Sequence, residues 1–289
     1  MKKIILTLFC LLVLAKTHAQ TNNNSLLWEI SGNGLKSSSY LFGTYHLVGK
    51  NLVDSLPEIR TRFNTCDAVV GEIVMDSTMV MKLMPYMMAP DSATLDKVFT
   101  PAEYLQIDSC IKQIIHVDAK AFNRFKPSAV ATMIATLSAP NVISPTNPAV
   151  DMYLQQEGKR RNEKIIGLET MQQQAEMLLN APMPEQKKQL LATVKKKDRL
   201  RTEAVKMFEI YRHQDLAGLA KMLDKNDELT PDQTEKLLKN RNLNWMTQLP
   251  EIMGQQPTFI AVGAGHLVGQ YGLINQLKLK GYKVTPVKI

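Results

Sequence analysis

After its first fifteen residues this chain has no apolar run long enough to cross a bilayer, which takes about 20 residues as a helix. The opening run itself, Ile4 to Ala15, is too short as well. Cysteine is scarce, with three in 289 residues, and no two stand in a CxxC pair. That excludes a zinc-ribbon or thioredoxin-type motif. Charge of one sign is also modest: a formal +8 spread over 289 residues does not argue for nucleic acid. Histidine is rare too, five in all, so two in an identical local pattern stand out.

The first residues read as an export signal. Met1-Lys2-Lys3 is a basic start, Ile4 to Ala15 an apolar stretch, and Ala19 a small residue before a cut. Cys10 lies inside the apolar run, where a lipid-modified cysteine is not expected. Cleavage after Ala19 leaves 270 residues and removes Lys2, Lys3 and Lys16, taking the formal charge from +8 to +5. The expected product is periplasmic or secreted, without a transmembrane span. Its remaining basic cluster, Lys187 to Arg201, reads as a solvated helix face, with contact to an anionic surface as the alternative. Cys66 and Cys110 are compatible either with a disulfide or with two buried thiols.

Strands are expected at Leu26 to Ile30 and Ser38 to Phe42, around the turn-forming Ser31-Gly32-Asn33-Gly34. A helical face with Leu52, Leu56, Ile59 and Phe63 follows, then a buried strand from Ala68 to Val74. Thr100-Pro101-Ala102-Glu103 and Thr230-Pro231-Asp232-Gln233 are capping boxes. Helices are expected at Pro127 to Leu137, Ala149 to Glu157, Met171 to Leu179 and, with a break, Pro184 to Met222; Lys164 to Leu168 is a strand. The methionines from Met75 to Met88 read as an adaptable apolar surface or lip rather than a copper site.

One feature repeats. Gly43 to Gly49 and Gly263 to Gly269 are both Gly-x-x-His-Leu-Val-Gly, each placed between a strand and a helix that leads to another strand. The class is therefore α/β (mixed α+β). A central sheet is built from two related strand-GxxH-helix-strand halves in one domain over residues 20–289. The expected helical insertion covers about 76–160, and a second helical segment about 171–253.

His46, Glu72, Glu169 and His266 each follow, or end, an expected strand. Ligands gather at the carboxyl ends of strands in open α/β sheets, so these four side chains are candidates for one site. A helix start beside each histidine favours the neutral ring, the form that binds metal or accepts a proton. Two imidazoles and a carboxylate suit a divalent metal ion of the Mn, Co or Zn class, with His46, Glu72 and His266 as ligands. The same groups can also work without metal, a histidine acting as general base. Glu72 lies in an apolar strand, where an unpaired carboxylate is costly. Arg241 is a candidate for holding a substrate carboxylate or stabilising an oxyanion.

The segments Tyr40 to His46, Gly71-Glu72, Gly167 to Thr170 with Gln174, Arg241-Asn242 with Trp245, and Val262 to Gly269 resemble the TraB/GumN family. That family includes Tiki-like proteins and is related to an erythromycin esterase-like and ChaN-like group. The resemblance runs over about residues 26–289. It implies a mixed α/β fold and a hydrolase, and Tiki-type proteins are described as metal-dependent proteases needing both GxxH histidines and the glutamate. Carried across, these are His46, His266 and Glu72, with Glu169 and Arg241 at further family positions. The expected partner is a peptide or small acyl substrate. The alternatives are a non-catalytic protein sequestering a small peptide or envelope glycan, and a metal-free ester hydrolase.

Overall fold

A computed structural model describes residues 24–140, 143–224 and 231–289. The expected leader and Thr230 of the second capping box lie outside these residues. Among the described residues no helix is long and apolar enough to cross a membrane.

The described strands are β1 (Leu27–Ser31), β2 (Ser39–Thr44), β3 (Ala68–Gly71), β4 (Lys164–Gly167), β5 (Thr258–Gly263) and β6 (Lys283–Pro286). They form one mixed sheet in the order β4-β3-β5-β2-β1-β6. The first four in that order run parallel, while β1 is antiparallel to β2 and β6 to β1. Helices cover the parallel part, so its strands are apolar on both faces, as in Val69-Val70 and Phe259 to Val262. The β1–β2 turn passes through Gly32, Asn33 and Gly34 at φ of 75°, 49° and 83°, a left-handed path that favours glycine and asparagine.

The repeat in the sequence becomes adjacency in the sheet. β2 and β5 are neighbours in register, Gly43 opposite Val262 and Thr44 opposite Gly263. Both GxxH turns therefore leave the same end of the sheet side by side. They also touch: a Cβ on Gly43 would come within 2.9 Å of Leu267 and 3.1 Å of Ala264, both in the second turn. Close approach, rather than a positive φ, is what requires glycine there.

Several expected elements are shorter or divided. The run from Leu52 to Phe63 is two helices, Asn51–Ser55 and Pro57–Phe63. Pro57 drives Leu56 out of the helical region, to φ −124° and ψ 76°. β3 stops at Gly71 instead of Val74, because Gln155 takes over the backbone there, donating to the Ile73 carbonyl at 2.8 Å and accepting from the Met75 N–H at 2.8 Å. The long run after Pro184 is three helices, Met183–Lys195, Lys197–Arg212 and Leu216–Asp224.

A second apolar cluster lies among the helices, with Leu95, Ile107, Ile111, Ile134 and Leu190 fully buried. Cys66 belongs to the sheet core and Cys110 to this helical cluster, and both are free, buried thiols. The Met79–Met87 helix buries no residue and shows Val80 and Met81 to solvent, at 65% and 71% exposure. It presents the apolar surface expected of its methionines.

Candidate functional site

The carboxyl ends of β4, β3, β5 and β2 deliver Glu169, Glu72, His266 and His46 in that spatial order. The structure brings all four together with Arg241. From the position a Cβ would occupy on Gly263, Glu72 Oε1 is 3.2 Å away, His266 Cδ2 3.7 Å and His46 Nε2 3.9 Å. A side chain at this position would fill the space where the three groups meet, which gives the second-turn glycine its role.

Arg241 is the centre of the buried half. It sits near the start of the Asn240–Gln255 helix, just after a π-helical stretch, Glu235–Lys239. Its Nε donates to Glu169 Oε1 at 2.9 Å, and Nη2 donates to Glu169 Oε2 at 3.0 Å and Glu72 Oε2 at 2.6 Å. Its Nη1 donates to His266 Nε2 at 2.9 Å and the Leu237 carbonyl at 3.2 Å. These five contacts match the five N–H donors of a guanidinium. Trp245 Nε1 donates to Glu169 Oε1 at 3.0 Å, and its ring packs on His266 with centroids 4.3 Å apart.

The tautomer of His266 follows from its neighbours. Asn242 donates its amide Nδ2 to the carbonyls of His266 and Tyr271, at 3.1 and 2.8 Å. Its Oδ1 is then an acceptor, so His266 Nδ1, 2.7 Å away, carries the proton. Nε2 is left as the acceptor facing Arg241. Burial pushes the His266 pKa down to about 3, with the charges of Arg241 and His46 acting in the same direction and Glu72 opposing. The ring is neutral.

His46 is the opposite case. Its Nδ1 is 3.0 Å from Asp151 Oδ2, and Thr44 donates its hydroxyl to the other Asp151 oxygen. The Asp151 charge outweighs burial and raises the imidazole pKa to about 9. The helix after this turn starts only at Asn51, so the expected dipole effect at His46 is weak and the acid beside it decides the charge. The neutral ring expected here is an imidazolium. The outer edge of His46 is open, with 56% of its side-chain surface accessible, whereas His266 shows 6%. Tyr211 supports the turn from behind, donating its hydroxyl to the Gly43 carbonyl at 2.8 Å.

Glu72 joins the two halves. Oε1 accepts from the Gly263 N–H at 2.9 Å, and Oε2 from Gln174 Nε2 at 2.9 Å as well as from Arg241. Burial alone would raise its pKa, but the neighbouring charges and the Gly263 N–H hold it below the usual carboxylate range. With His266 uncharged at neutral pH, the pull comes from Arg241 and His46. Next to Glu72 is a cavity of about 20 Å³, lined by His46, Asp151, Gln155 and Gln174 among others. That is room for one water molecule.

Asp151 and Gln155 were not among the residues singled out from sequence. Both lie on the Val150–Arg160 helix, whose buried stripe is Val150, Asp151, Leu154, Gln155 and Gly158. Two polar residues on an apolar stripe are the signal that would have found them. His116, by contrast, caps a helix at φ 64°, and His213 lies beside Glu209, both away from the cluster.

The donors were also expected to hold a divalent ion. Among the described residues no group of three or more His, Cys, Asp or Glu side chains is placed to do so. An imidazole nitrogen has one lone pair, and that of His266 Nε2 is directed at Arg241. The expected ligand set of His46, Glu72 and His266 therefore does not fit a resident ion in this arrangement.

Known proteins similar to this chain share its length unevenly. It is 22% identical to Metalloprotease TIKI2 of Danio rerio over 93% of this chain and 62% of that protein. Identity is 23% to Metalloprotease TIKI1 of Xenopus tropicalis and 20% to Metalloprotease TIKI1 of Homo sapiens, each over 92% of this chain and 62% of the relative. The chain spans somewhat less than two thirds of these relatives. No solved structure matches it. The sequence pattern of the TraB/PrgY/gumN family matches residues 26–286, a span that contains both GxxH turns and all five clustered side chains, and the chain belongs to that family.

Proposed function

We propose that this chain is an exported hydrolase that cleaves a peptide or related acyl bond at the cavity beside His46 and Glu72. The observation that carries this reading is the convergence of Glu72, His46 and His266 on one point above Gly263, beside a cavity the size of a water molecule. The similarity to proteins named metalloproteases supports the reaction class.

Two groups with opposite charge face the cavity: an imidazolium at His46 and a carboxylate at Glu72. Environments that push two titrating groups apart identify the acid and the base. In the proposed reaction the substrate enters over the open edge of His46, with its acyl carbon above the water. The water oxygen bonds to that carbon while Glu72 takes a water proton. His46 Nε2 gives its proton to the leaving nitrogen or oxygen as the acyl bond breaks, and the two groups then exchange a proton to restore the starting state. Asp151 holds His46 with Nε2 turned to the cleft. Arg241, with its N–H groups engaged, holds Glu72 and Glu169 in place. The relatives' name points to a divalent ion, so chelation belongs in the test.

The test is a screen of the purified full chain against peptide and ester libraries, with and without chelator, beside His46→Gln and Glu72→Gln. Turnover that both substitutions abolish is the expected result. Binding without turnover, weakened by both substitutions, would instead favour sequestration of a peptide or envelope glycan.

A further inference from the structure

We propose that Arg241 fills the place a divalent cation would take between the two GxxH turns, so that the cluster carries a built-in cation and excludes a metal. The inference rests on the proposed hydrolytic site only for where the reaction occurs; its geometry stands by itself.

Glu72 Oε1 and His266 Nε2 are 3.8 Å apart, close to the roughly 3.4 Å that separates two ligands of one tetrahedral ion with bonds of about 2.1 Å. The outer support of a metal-binding histidine is also present, since Asn242 fixes the Nδ1–H tautomer and leaves Nε2 as the electron-pair donor. What stands in the way is the guanidinium. It lies 2.9 Å from His266 Nε2 and 2.6 Å from Glu72 Oε2, and spans to both oxygens of Glu169.

Arg241 cannot step aside by losing its proton, because a guanidinium stays charged in proteins. Nor can it swing away cheaply. The side chains of Arg241, Glu72 and Glu169 are 11%, 9% and 8% exposed, so departure would strand two buried carboxylates. An incoming dication would have to displace this bonded cation or sit against it.

The substitution that opens the site is Arg241→Ala, which frees Glu72, Glu169 and His266 beside His46. Cobalt(II) is the probe, read by calorimetry, by its visible absorption and by the shift in Tm. The intact full-length protein is expected to bind with a Kd above about 1 mM, and R241A at least about tenfold more tightly, with a rise in Tm on adding cobalt. One equivalent of cobalt bound by the unaltered chain and lost in His266→Gln would overturn the proposal. So would a folded R241A that gains no affinity. If R241A does not fold, Arg241→Gln, which keeps the volume without the charge, takes its place under the same criteria. None of these readouts uses turnover. A chain that excludes cobalt but hydrolyses nothing removes the hydrolase reading alone, and an active chain with cobalt on His266 removes this one alone.

Discussion

The first and second GxxHLVG turns share five letters and a strand-end position, yet they present imidazoles of opposite character. His46 is half open to solvent, paired with Asp151 and protonated; His266 is buried, paired with Asn242 and Arg241, and neutral. The motif sets where each ring stands. At His46 the aspartate at Nδ1 sets the charge, whereas at His266 burial and Arg241 set it and the asparagine at Nδ1 fixes the tautomer. The comparison separates an accessible turn suited to chemistry from a buried one that anchors the cluster, so damage to the two should be read by different measurements.

The largest effect is expected at the accessible turn. His46→Gln should reduce kcat by about 10²–10⁴-fold on a substrate found by the screen, the usual contribution of a positioned acid or base. Its urea midpoint should fall by less than that of a change at Arg241, because only the imidazolium–Asp151 pair of a half-open ring is lost, and a larger fall would erase the contrast. At the buried turn the order reverses. Arg241→Met leaves Glu72 and Glu169 without their cation and should cost about 3–5 kcal/mol in urea denaturation. Asn242→Ala strands the buried Nδ1–H of His266 and should cost about 1–3 kcal/mol by the same measurement.

The smallest effect sharpens the comparison most. Asp151→Asn should move the His46 pKa from about 9 back toward 6.5, and the alkaline fall of the pH–rate profile should move with it. Because folding raises this pKa, the imidazolium–Asp151 pair stabilises the fold fully below pH 6.5. That contribution is lost as pH rises through about 9. The stability gap between the unaltered chain and D151N should therefore be wider at pH 6 than at pH 10.

Much of this was legible in the sequence because it is carried by strand ends. Glycine, apolar runs and a repeated motif locate the ends of β2 and β5, and a glutamate in an apolar strand marks β3. Glu169 and Arg241 were readable as positions but not as a bonded pair, since their link spans 72 residues. The charge of His46 was hidden for the same reason. Asp151 lies 105 residues away, on a helix whose apolar stripe it interrupts, and no local pattern shows which strand end that stripe faces. The β3 boundary differs because a side chain, Gln155, replaces the sheet partners of Ile73 and Met75.

Two rings of one motif hold different protonation states. Nitrogen-15 NMR of the full chain, with the rings assigned through His46→Gln and His266→Gln, reads those states directly. His46 should appear as an imidazolium at neutral pH and titrate near 9, while His266 stays a neutral Nδ1–H tautomer down to about pH 3. Two rings titrating together near the ordinary histidine value would contradict it.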